Sequence, residues 1–353
     1  MKTRSLESWR NLLVIKPTSI GDVVQSLTAV CALKDTFPDR RVSFLVADSI
    51  LPLLVGHKSI DELIVFPRTE MKKGPLSFLR AMKRLGGELK ARHYDVTLDL
   101  QGLARSAIAA RLSGAPIRVG FTYAREGATL LYTHKVKADR KDDYAVVRYL
   151  KGAAFLGAAI PAGKVRFGLM PSPEAVASLR QILPPGPYAA VVPGGRWEIR
   201  RWPAAHFVET CRNIMRDTDL HMLILGSRDE MELCSGIAST LPGSRATSLA
   251  GNTDLPGLAA ALSLCEITLT NDTGPMHISA ALGIPTVSIW GSTEPRRTGP
   301  YGQERWIIQT DMPCRACYKK KCATMPSACM ADIQPSRVLG IFMAALNERR
   351  VIR

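Results

Sequence analysis

Three loops of the sequence combine glycine with charged and hydroxyl side chains in patterns that suit ligand binding and catalysis. They span residues 16–22, 192–203 and 270–277. Glycine lets a backbone approach a ligand closely, and the charged side chains supply proton acceptors and anion-binding groups. These loops therefore contain the candidate functional residues.

The first loop places a carboxylate at the start of a predicted helix. Gly21 removes a side chain where a ligand would approach, and Thr18 and Ser19 offer hydroxyls and backbone donors. The loop matches neither a Walker motif nor a GxGxxG fingerprint, which disfavours an ordinary ATPase or a dinucleotide-binding protein. Asp22 either caps the helix or acts as a general base toward an acceptor hydroxyl, because a carboxylate would repel a phosphate.

The second loop suits a diphosphate. Gly194 and Gly195 follow a predicted strand, and Arg196, Arg200 and Arg201 precede the next helix. Guanidinium groups are permanently charged forks of donors that match phosphate oxygens. The alternative is a solvated basic turn, and the two glycines at a strand's carboxyl end favour binding.

The third loop also opens a predicted helix, and a helix N-terminus can bind phosphate without a metal. Asp272 or Thr273 caps this helix, and Asp272 can also accept hydrogen bonds from sugar hydroxyls. The other candidates in or near this loop are Gly274, Pro275, His277 and, after the next strand, Thr293. Taken alone, His277 is more typical of a structural hydrogen-bonding residue than of a catalyst.

Short β-branched runs alternate with helical stretches and must position these loops. Strands are predicted at 12–15, 42–46, 63–66, 96–100, 117–120, 188–192, 222–225, 267–270 and 286–290. Helices are predicted at 21–34, 75–91, 103–112, 204–216, 230–239, 255–264, 275–282 and 335–347. This alternation indicates α/β structure with parallel sheets, which bind ligands at the carboxyl ends of their strands.

Proline-rich interruptions at 161–173 and 184–187 predict two doubly wound domains that face each other across a cleft. We expect an N-terminal Rossmann-like domain over 1–165 and a C-terminal one over 166–334. The helix within 335–353 either finishes the second domain or packs back on the first.

The composition favours anionic partners. Of 353 residues, 47 are Lys or Arg and 31 are Asp or Glu, a formal net charge of +16. Nucleic acid, anionic lipid and phosphorylated small molecules all fit this charge. A nucleic-acid-binding module is disfavoured, because only 6% of residues are aromatic and no nucleic-acid motif is present. Apolar runs fall well short of the roughly 18 residues of a transmembrane helix, and no signal-peptide core is visible, so we expect a cytoplasmic protein.

The eight cysteines fall into two groups. We expect Cys31, Cys211, Cys234 and Cys265 to be buried, reduced thiols, because they lie in apolar segments. The remaining four, Cys314, Cys317, Cys322 and Cys329, could form a four-thiolate zinc site, but their spacing fits that pattern poorly. Reduced thiols, or a disulfide formed on oxidation, are the alternative, and we expect neither a metal nor another cofactor.

Together the loops resemble glycosyltransferase family 9, the inverting lipopolysaccharide heptosyltransferases, over most of the chain. The resemblance rests on residues 15–22, 98–102, 193–196, 200–203, 271–277 and 291–295 and on the cysteine cluster. It implies a GT-B fold with an acceptor-binding first domain and a nucleotide-sugar-binding second domain. The implied donor is ADP-L-glycero-D-manno-heptose, and the implied acceptor is Kdo-lipid A or a core already carrying heptose.

The resemblance also implies roles for individual residues. Asp22 is the expected general base, and Arg200 or Arg201 the group that stabilises the diphosphate. Donor-binding residues are expected to be Thr18, Ser19, Gly21, Gly194, Gly195, Arg196, Asp272, Thr273, Gly274, Pro275, His277 and Thr293. Acceptor-binding candidates are Gln101, from the family motif, and the basic residues Arg68, Lys72, Lys73 and Arg125, for which solvated charge is the alternative. The same basic face could contact the anionic cytoplasmic leaflet of the inner membrane.

Two alternatives stay open within this fold. One is a transferase that uses another nucleotide-sugar for surface polysaccharide, because donor choice depends on few side chains. The other is a sugar-nucleotide binder without activity, which the presence of Asp22 disfavours.

Overall fold

The computed structural model describes residues 8–140, 144–322 and 327–352. The chain separates into two compact units after Leu169. Each unit contains one six-stranded sheet, and all neighbouring strands in both sheets are parallel. The predicted α/β class is therefore confirmed.

The first unit builds its sheet in the order β3-β2-β1-β4-β5-β6. Its strands are β1 (Asn11–Ile15), β2 (Arg41–Ala47), β3 (Glu62–Phe66), β4 (Val96–Asp99), β5 (Ile117–Phe121) and β6 (His134–Val136). Its helices are α1 (Ile20–Thr36), α2 (Arg68–Met71), α3 (Pro75–Lys90), α4 (Ala104–Leu112) and α5 (Ala145–Phe155). The strand order reverses between β1 and β4, where Ile15 pairs with Asp99. Ligands bind at such a reversal in open parallel sheets, because the loops diverge there and leave a crevice.

The second unit has the sheet order β12-β11-β10-β7-β8-β9. Its strands are β7 (Tyr188–Val192), β8 (His221–Ile224), β9 (Ala246–Ser248), β10 (Cys265–Asn271), β11 (Thr286–Trp290) and β12 (Ile307–Gln309). Its helices are α6 (Pro173–Ile182), α7 (Ala204–Asp217), α8 (Met231–Thr240), α9 (Leu255–Leu264), α10 (Gly274–Ala281), α11 (Pro295–Thr298), α12 (Ala328–Ala331) and α13 (Pro335–Ile352). The reversal lies between β7 and β10, where Val192 pairs with Thr270.

Apolar burial accounts for the continuous hydrophobic strands. Every residue of β7 and β11 is buried, as expected when helices cover both faces of a parallel sheet. The core of the second unit includes Val338, Phe342 and Leu346 of α13. Helix α13 therefore packs on the core of the second unit.

The sequence pattern did not predict three edge strands, β6, β9 and β12, the helices α5 and α6, or the four-residue helices α2, α11 and α12. Among the described residues, no helix combines the length and the apolar character needed to cross a membrane. Cys31, Cys211, Cys234 and Cys265 are buried free thiols, as predicted.

Candidate active site

The first loop connects β1 to α1 and fixes the position of Asp22. Ser19 is the N-cap of α1, and Asp22 lies in its first turn. Asp22 Oδ2 accepts hydrogen bonds from the Ser19 N–H at 3.3 Å and from its hydroxyl at 2.9 Å. The capping role of Asp22 is therefore present, and it also restricts the orientation of the carboxylate.

Two further side chains approach the other carboxylate oxygen. The Tyr149 hydroxyl donates to Asp22 Oδ1 at 2.9 Å, and Lys16 Nζ lies 3.8 Å from the same atom. Lys16 is buried, and its ammonium lies 5.2 Å from the centre of the Tyr149 ring. The Asp22 side chain is nevertheless 37% exposed, so a ligand can reach the carboxylate.

These contacts set the protonation states of the cluster. Burial raises the pKa of Asp22, but the charge of Lys16 and the hydrogen bonds from Ser19 and Tyr149 outweigh it, and the pKa falls below its ordinary value. Burial and the charge of Asp22 raise the pKa of Tyr149 far above its ordinary value, so the phenol remains a donor. Asp22 is therefore ionised at neutral pH and able to accept a proton.

The loop after β4 meets the first loop at the strand-order reversal. The Thr18 N–H donates to Gln101 Oε1 at 3.1 Å. Asp99 orders this loop by accepting from the backbone N–H of Gln101 at 2.8 Å and from the Tyr132 hydroxyl at 2.7 Å. The exposed Arg125 follows β5, and its N–H donates to the Gly102 carbonyl at 2.9 Å.

The other basic acceptor candidates occupy a different part of the first unit. Arg68 begins α2 directly after β3, which lies two strands from β1 in the sheet. Lys72 and Lys73 follow α2 and are exposed. The structure thus brings Gln101 next to the Asp22 loop, whereas these three cations lie toward the β3 edge.

In the second unit, a buried asparagine ties the two predicted binding loops together. Asn271, at the end of β10, donates through Nδ2 to the Pro193 carbonyl at 2.7 Å and to the Gly194 carbonyl at 3.1 Å. Its Oδ1 accepts from the Trp202 N–H at 3.1 Å. Because β7 and β10 are neighbours at the reversal, the second and third loops form one site.

Asp272 links this site to the loop after β11. Its Oδ2 accepts from Arg200 Nη1 at 2.9 Å and from the Thr293 hydroxyl at 2.8 Å. Thr293 is buried and Arg200 is partly buried. These three residues therefore form a fixed polar cluster rather than a solvated turn.

The N-terminus of α10 follows directly. Thr273 is the N-cap, Gly274 begins the helix and Pro275 lies in its first turn. Within the described residues, the Thr273 side chain makes no capping hydrogen bond to α10. The first backbone N–H groups of this helix are therefore suited to a phosphate. His277 is buried in the same helix.

Glu230 organises the glycine pair of the second loop. Its Oε1 accepts from the Gly195 N–H at 2.7 Å, and its Oε2 accepts from the Ser227 N–H at 2.8 Å. Arg201 Nε donates to the Gly195 carbonyl at 2.8 Å. Residues 194–201 are thus connected to the start of α8.

The cysteine-rich segment lies against the same loops. Arg196 and Lys320 both lie over the Trp197 ring, at 5.2 and 4.9 Å from its centre. The Tyr318 N–H donates to the Ser292 carbonyl at 2.7 Å. Cys314, Cys317, Cys322 and Cys329 form no disulfide bond within the described residues. Among the described residues, no group of three or more His, Cys, Asp or Glu side chains is arranged to bind a metal ion.

Sequence reasoning missed Tyr149, Glu230 and Lys320 at these sites. Glu230 carried a usable signal, because Ser227 and Glu230 have the spacing of a capping box. Tyr149 carried none, since 127 positions separate it from Asp22 and only the packing of α5 on α1 brings them together.

Comparisons with known proteins agree with this architecture. The model of the family described as glycosyltransferase family 9 (heptosyltransferase) matches residues 82–327. The lipopolysaccharide heptosyltransferase 1 of Pseudomonas aeruginosa is 27% identical over 321 residues, covering 90% of this chain and 88% of the relative. The lipopolysaccharide heptosyltransferase 2 of Salmonella typhimurium is 25% identical, covering 96% of this chain and 99% of the relative.

Solved structures confirm the fold class. The Escherichia coli ADP-heptose heptosyltransferase II has a TM-score of 0.76 at 23% identity, covering 96% of this chain and 99% of its own. Escherichia coli heptosyltransferase WaaC with ADP has a TM-score of 0.78 at 22% identity, covering 95% of this chain and 99% of its own. The fold is accordingly of the GT-B type, with two Rossmann-like sheets.

Proposed function

Because the chain belongs to glycosyltransferase family 9, the heptosyltransferase family, we propose that it transfers heptose to the inner core of lipopolysaccharide. The names of its curated relatives support this acceptor class. The donor we propose is ADP-L-glycero-D-manno-heptose. Two solved structures of Escherichia coli heptosyltransferase WaaC support this donor, because one holds ADP and the other ADP-2-deoxy-2-fluoro heptose.

The observation that carries the catalytic proposal is the Asp22 cluster. An acceptor hydroxyl attacks the anomeric carbon from the face opposite the diphosphate, and Asp22 takes its proton as the new bond forms. The bond to the diphosphate breaks in the same step, so ADP leaves and the configuration inverts. The lowered pKa of Asp22 keeps the base ionised, and its exposed fraction of 37% leaves room for the hydroxyl.

The second unit supplies groups for the departing diphosphate. Arg200, Arg201 and the N-terminus of α10 are preorganised donors for the charge that develops on ADP. A well-placed donor of this kind contributes about 3 kcal/mol to catalysis. Both arginines carry acidic partners, Asp272 and Glu230, that hold their guanidinium groups near the loop. We assign Gly194, Gly195, Arg196, Thr273, Gly274, Pro275, His277 and Thr293 to the donor site as well.

The first unit is the proposed acceptor domain. Gln101 contacts the Asp22 loop directly, and Arg68, Lys72, Lys73 and Arg125 supply charge for the acidic groups of the acceptor. Thr18, Ser19 and Gly21, in the same loop as the base, are assigned to the sugar of the donor. Because the acceptor is lipid-linked, we propose that the enzyme works in peripheral contact with the anionic cytoplasmic face of the inner membrane.

Replacing Asp22 tests the catalytic proposal. We expect Asp22→Asn to lower transfer from ADP-heptose about 10²- to 10⁴-fold, the usual contribution of a general base, with donor affinity nearly unchanged. Asp35→Asn is the matched control, since Asp35 lies at the other end of α1 and pairs with Arg166. Unaltered turnover in Asp22→Asn removes the general-base assignment. Transfer from a UDP-sugar in preference to ADP-heptose removes the donor assignment.

A further inference from the structure

Helix α3 exposes two leucine side chains that are not part of the core of the first unit. Leu76 is 73% exposed and Leu79 is 62% exposed. The opposite face of the helix is apolar as well, and Met82, Leu85 and Leu89 are buried in the core of the first unit. Leu76 and Leu79 are three residues apart, so they share one outward face, where an amphipathic helix normally carries polar residues.

Cations surround these leucines. Lys72 and Lys73 precede them, Arg80 and Lys83 follow on the same outward face, and all four are exposed. The nearby Glu70 is paired with Arg84. Within the described residues, no carboxylate forms an ion pair with Lys72, Arg80 or Lys83, so their charge is available to a partner.

We propose that this face, formed by Lys72, Lys73, Leu76, Leu79, Arg80 and Lys83 and here called the α3 surface, docks on an anionic lipid bilayer. The two leucines enter the boundary between headgroups and acyl chains, and the four cations contact lipid phosphates. A helix with an apolar centre and basic flanks binds a membrane interface in this way. The net charge of +16 gives the whole chain the same complementarity.

The proposal specifies the surface for the membrane contact proposed above, but it does not depend on the transfer reaction. Each cation near an anionic surface strengthens binding about fivefold. Burying the two exposed leucines together adds about tenfold or more, because each removes apolar area from water. Charge and apolar burial therefore make separable contributions.

Vesicle cosedimentation of the full chain tests the α3 surface. We expect binding to vesicles of equal parts phosphatidylcholine and phosphatidylglycerol, and little binding to pure phosphatidylcholine. Leu76→Gln with Leu79→Gln should weaken binding to the anionic vesicles at least about tenfold. Arg80→Gln with Lys83→Gln should weaken it about 25-fold and reduce its salt dependence.

Ile182→Gln is the matched control, because Ile182 is a 70% exposed apolar residue at the end of α6 in the second unit. It should bind vesicles like the parent chain. Equal binding by the parent and the leucine double variant overturns the proposal. So does a change in oligomeric state on sedimentation of the leucine variant without any loss of vesicle binding, which would mean that a second copy of the chain covers this face.

Activity separates this inference from the proposed function. With a water-soluble, delipidated core saccharide as acceptor, the leucine double variant should retain the parent rate. With the lipid-linked acceptor in vesicles, its rate should fall in parallel with binding. Loss of activity on both acceptors contradicts a pure docking role, whereas loss of vesicle binding alone leaves the catalytic assignment intact.

Discussion

The contacts around Asp22 fix the position of its carboxylate and also keep it ionised, as a general base must be. Burial alone would raise its pKa and so disfavour the ionised form that a base requires. Lys16 opposes that effect from 3.8 Å, and Ser19 and Tyr149 complete the hydrogen bonding of both oxygens. The sequence indicated Asp22 as a candidate base. It did not indicate that Lys16 lowers the pKa of Asp22, because that effect depends on the burial of Lys16 beside it.

Removing Lys16 should therefore change the pH dependence of transfer. In Lys16→Met the burial that raises the pKa of Asp22 stays, and the largest opposing influence is gone. Because a base must be ionised, activity is lost as the pH falls through its pKa. We expect the acidic limb of kcat to lie at higher pH in the variant than in the parent.

Lys34→Met is the control for this measurement, since Lys34 Nζ pairs with Asp61 at 2.9 Å elsewhere in the first unit. It should alter stability without moving the acidic limb. An identical pH profile in Lys16→Met and the parent would show that Lys16 does not set the pKa of Asp22.

At the scale of elements, Glu230, directly before α8, holds the glycine-containing loop after β7 in position. A Cβ on Gly194 would lie within 2.7 Å of three Glu230 atoms, so Glu230 would have to move. Its hydrogen bonds to Gly195 and Ser227 would then be lost. We expect Gly194→Ala to reduce the free energy of unfolding by about 1–3 kcal/mol and to weaken ADP binding, measured by denaturant titration and calorimetry.

Gly236→Ala in α8 supplies the contrast, because nothing lies within 4 Å of a Cβ at that position. It should stabilise the helix by roughly 0.5–1 kcal/mol and leave ADP binding unchanged. If Gly194→Ala behaves like Gly236→Ala, Glu230 does not hold the binding loop.

The strand-and-helix alternation was readable from the sequence where strands are long and central. Edge strands β6, β9 and β12 have only three residues each, too few for a recognisable pattern. Helix α5 was obscured by Gly152, where a Cβ would make tight contacts of 3.2–3.4 Å with Phe121, Leu98 and Leu100. Helix α6 carried a signal, since Ser172 caps it and Pro173 begins it.

The binding loops themselves were predictable because parallel sheets place the carboxyl ends of strands at one edge. What the sequence could not give was the strand order, which decides which loops become neighbours. The reversals at β1 and β4 and at β7 and β10 bring Thr18 to Gln101 and Arg200 to Asp272. Contacts of this kind link positions 72 to 83 residues apart, beyond the range of local patterns.

For the whole molecule, each unit contains its own complete sheet and a buried apolar core. The core of the second unit includes α13 and the buried residues of β7, β10 and β11. All the residues of this core cluster come from the second unit itself. A fragment of residues 170–353 should therefore unfold cooperatively, as followed by circular dichroism. A gradual, non-cooperative transition would show that the second unit needs the first in order to fold.

The same fragment distinguishes the residues that bind the diphosphate of the donor from those that bind its sugar. The groups assigned to the diphosphate, Arg200, Arg201 and the start of α10, all lie within it, whereas Thr18, Ser19 and Gly21 do not. We expect its Kd for ADP, measured by calorimetry, to stay within about tenfold of that of the full chain, a difference of about 1.4 kcal/mol. ADP-heptose should lose more affinity, because the residues assigned to its sugar are missing. An equal loss for ADP and ADP-heptose would instead mean that the first unit contributes to binding the nucleotide itself.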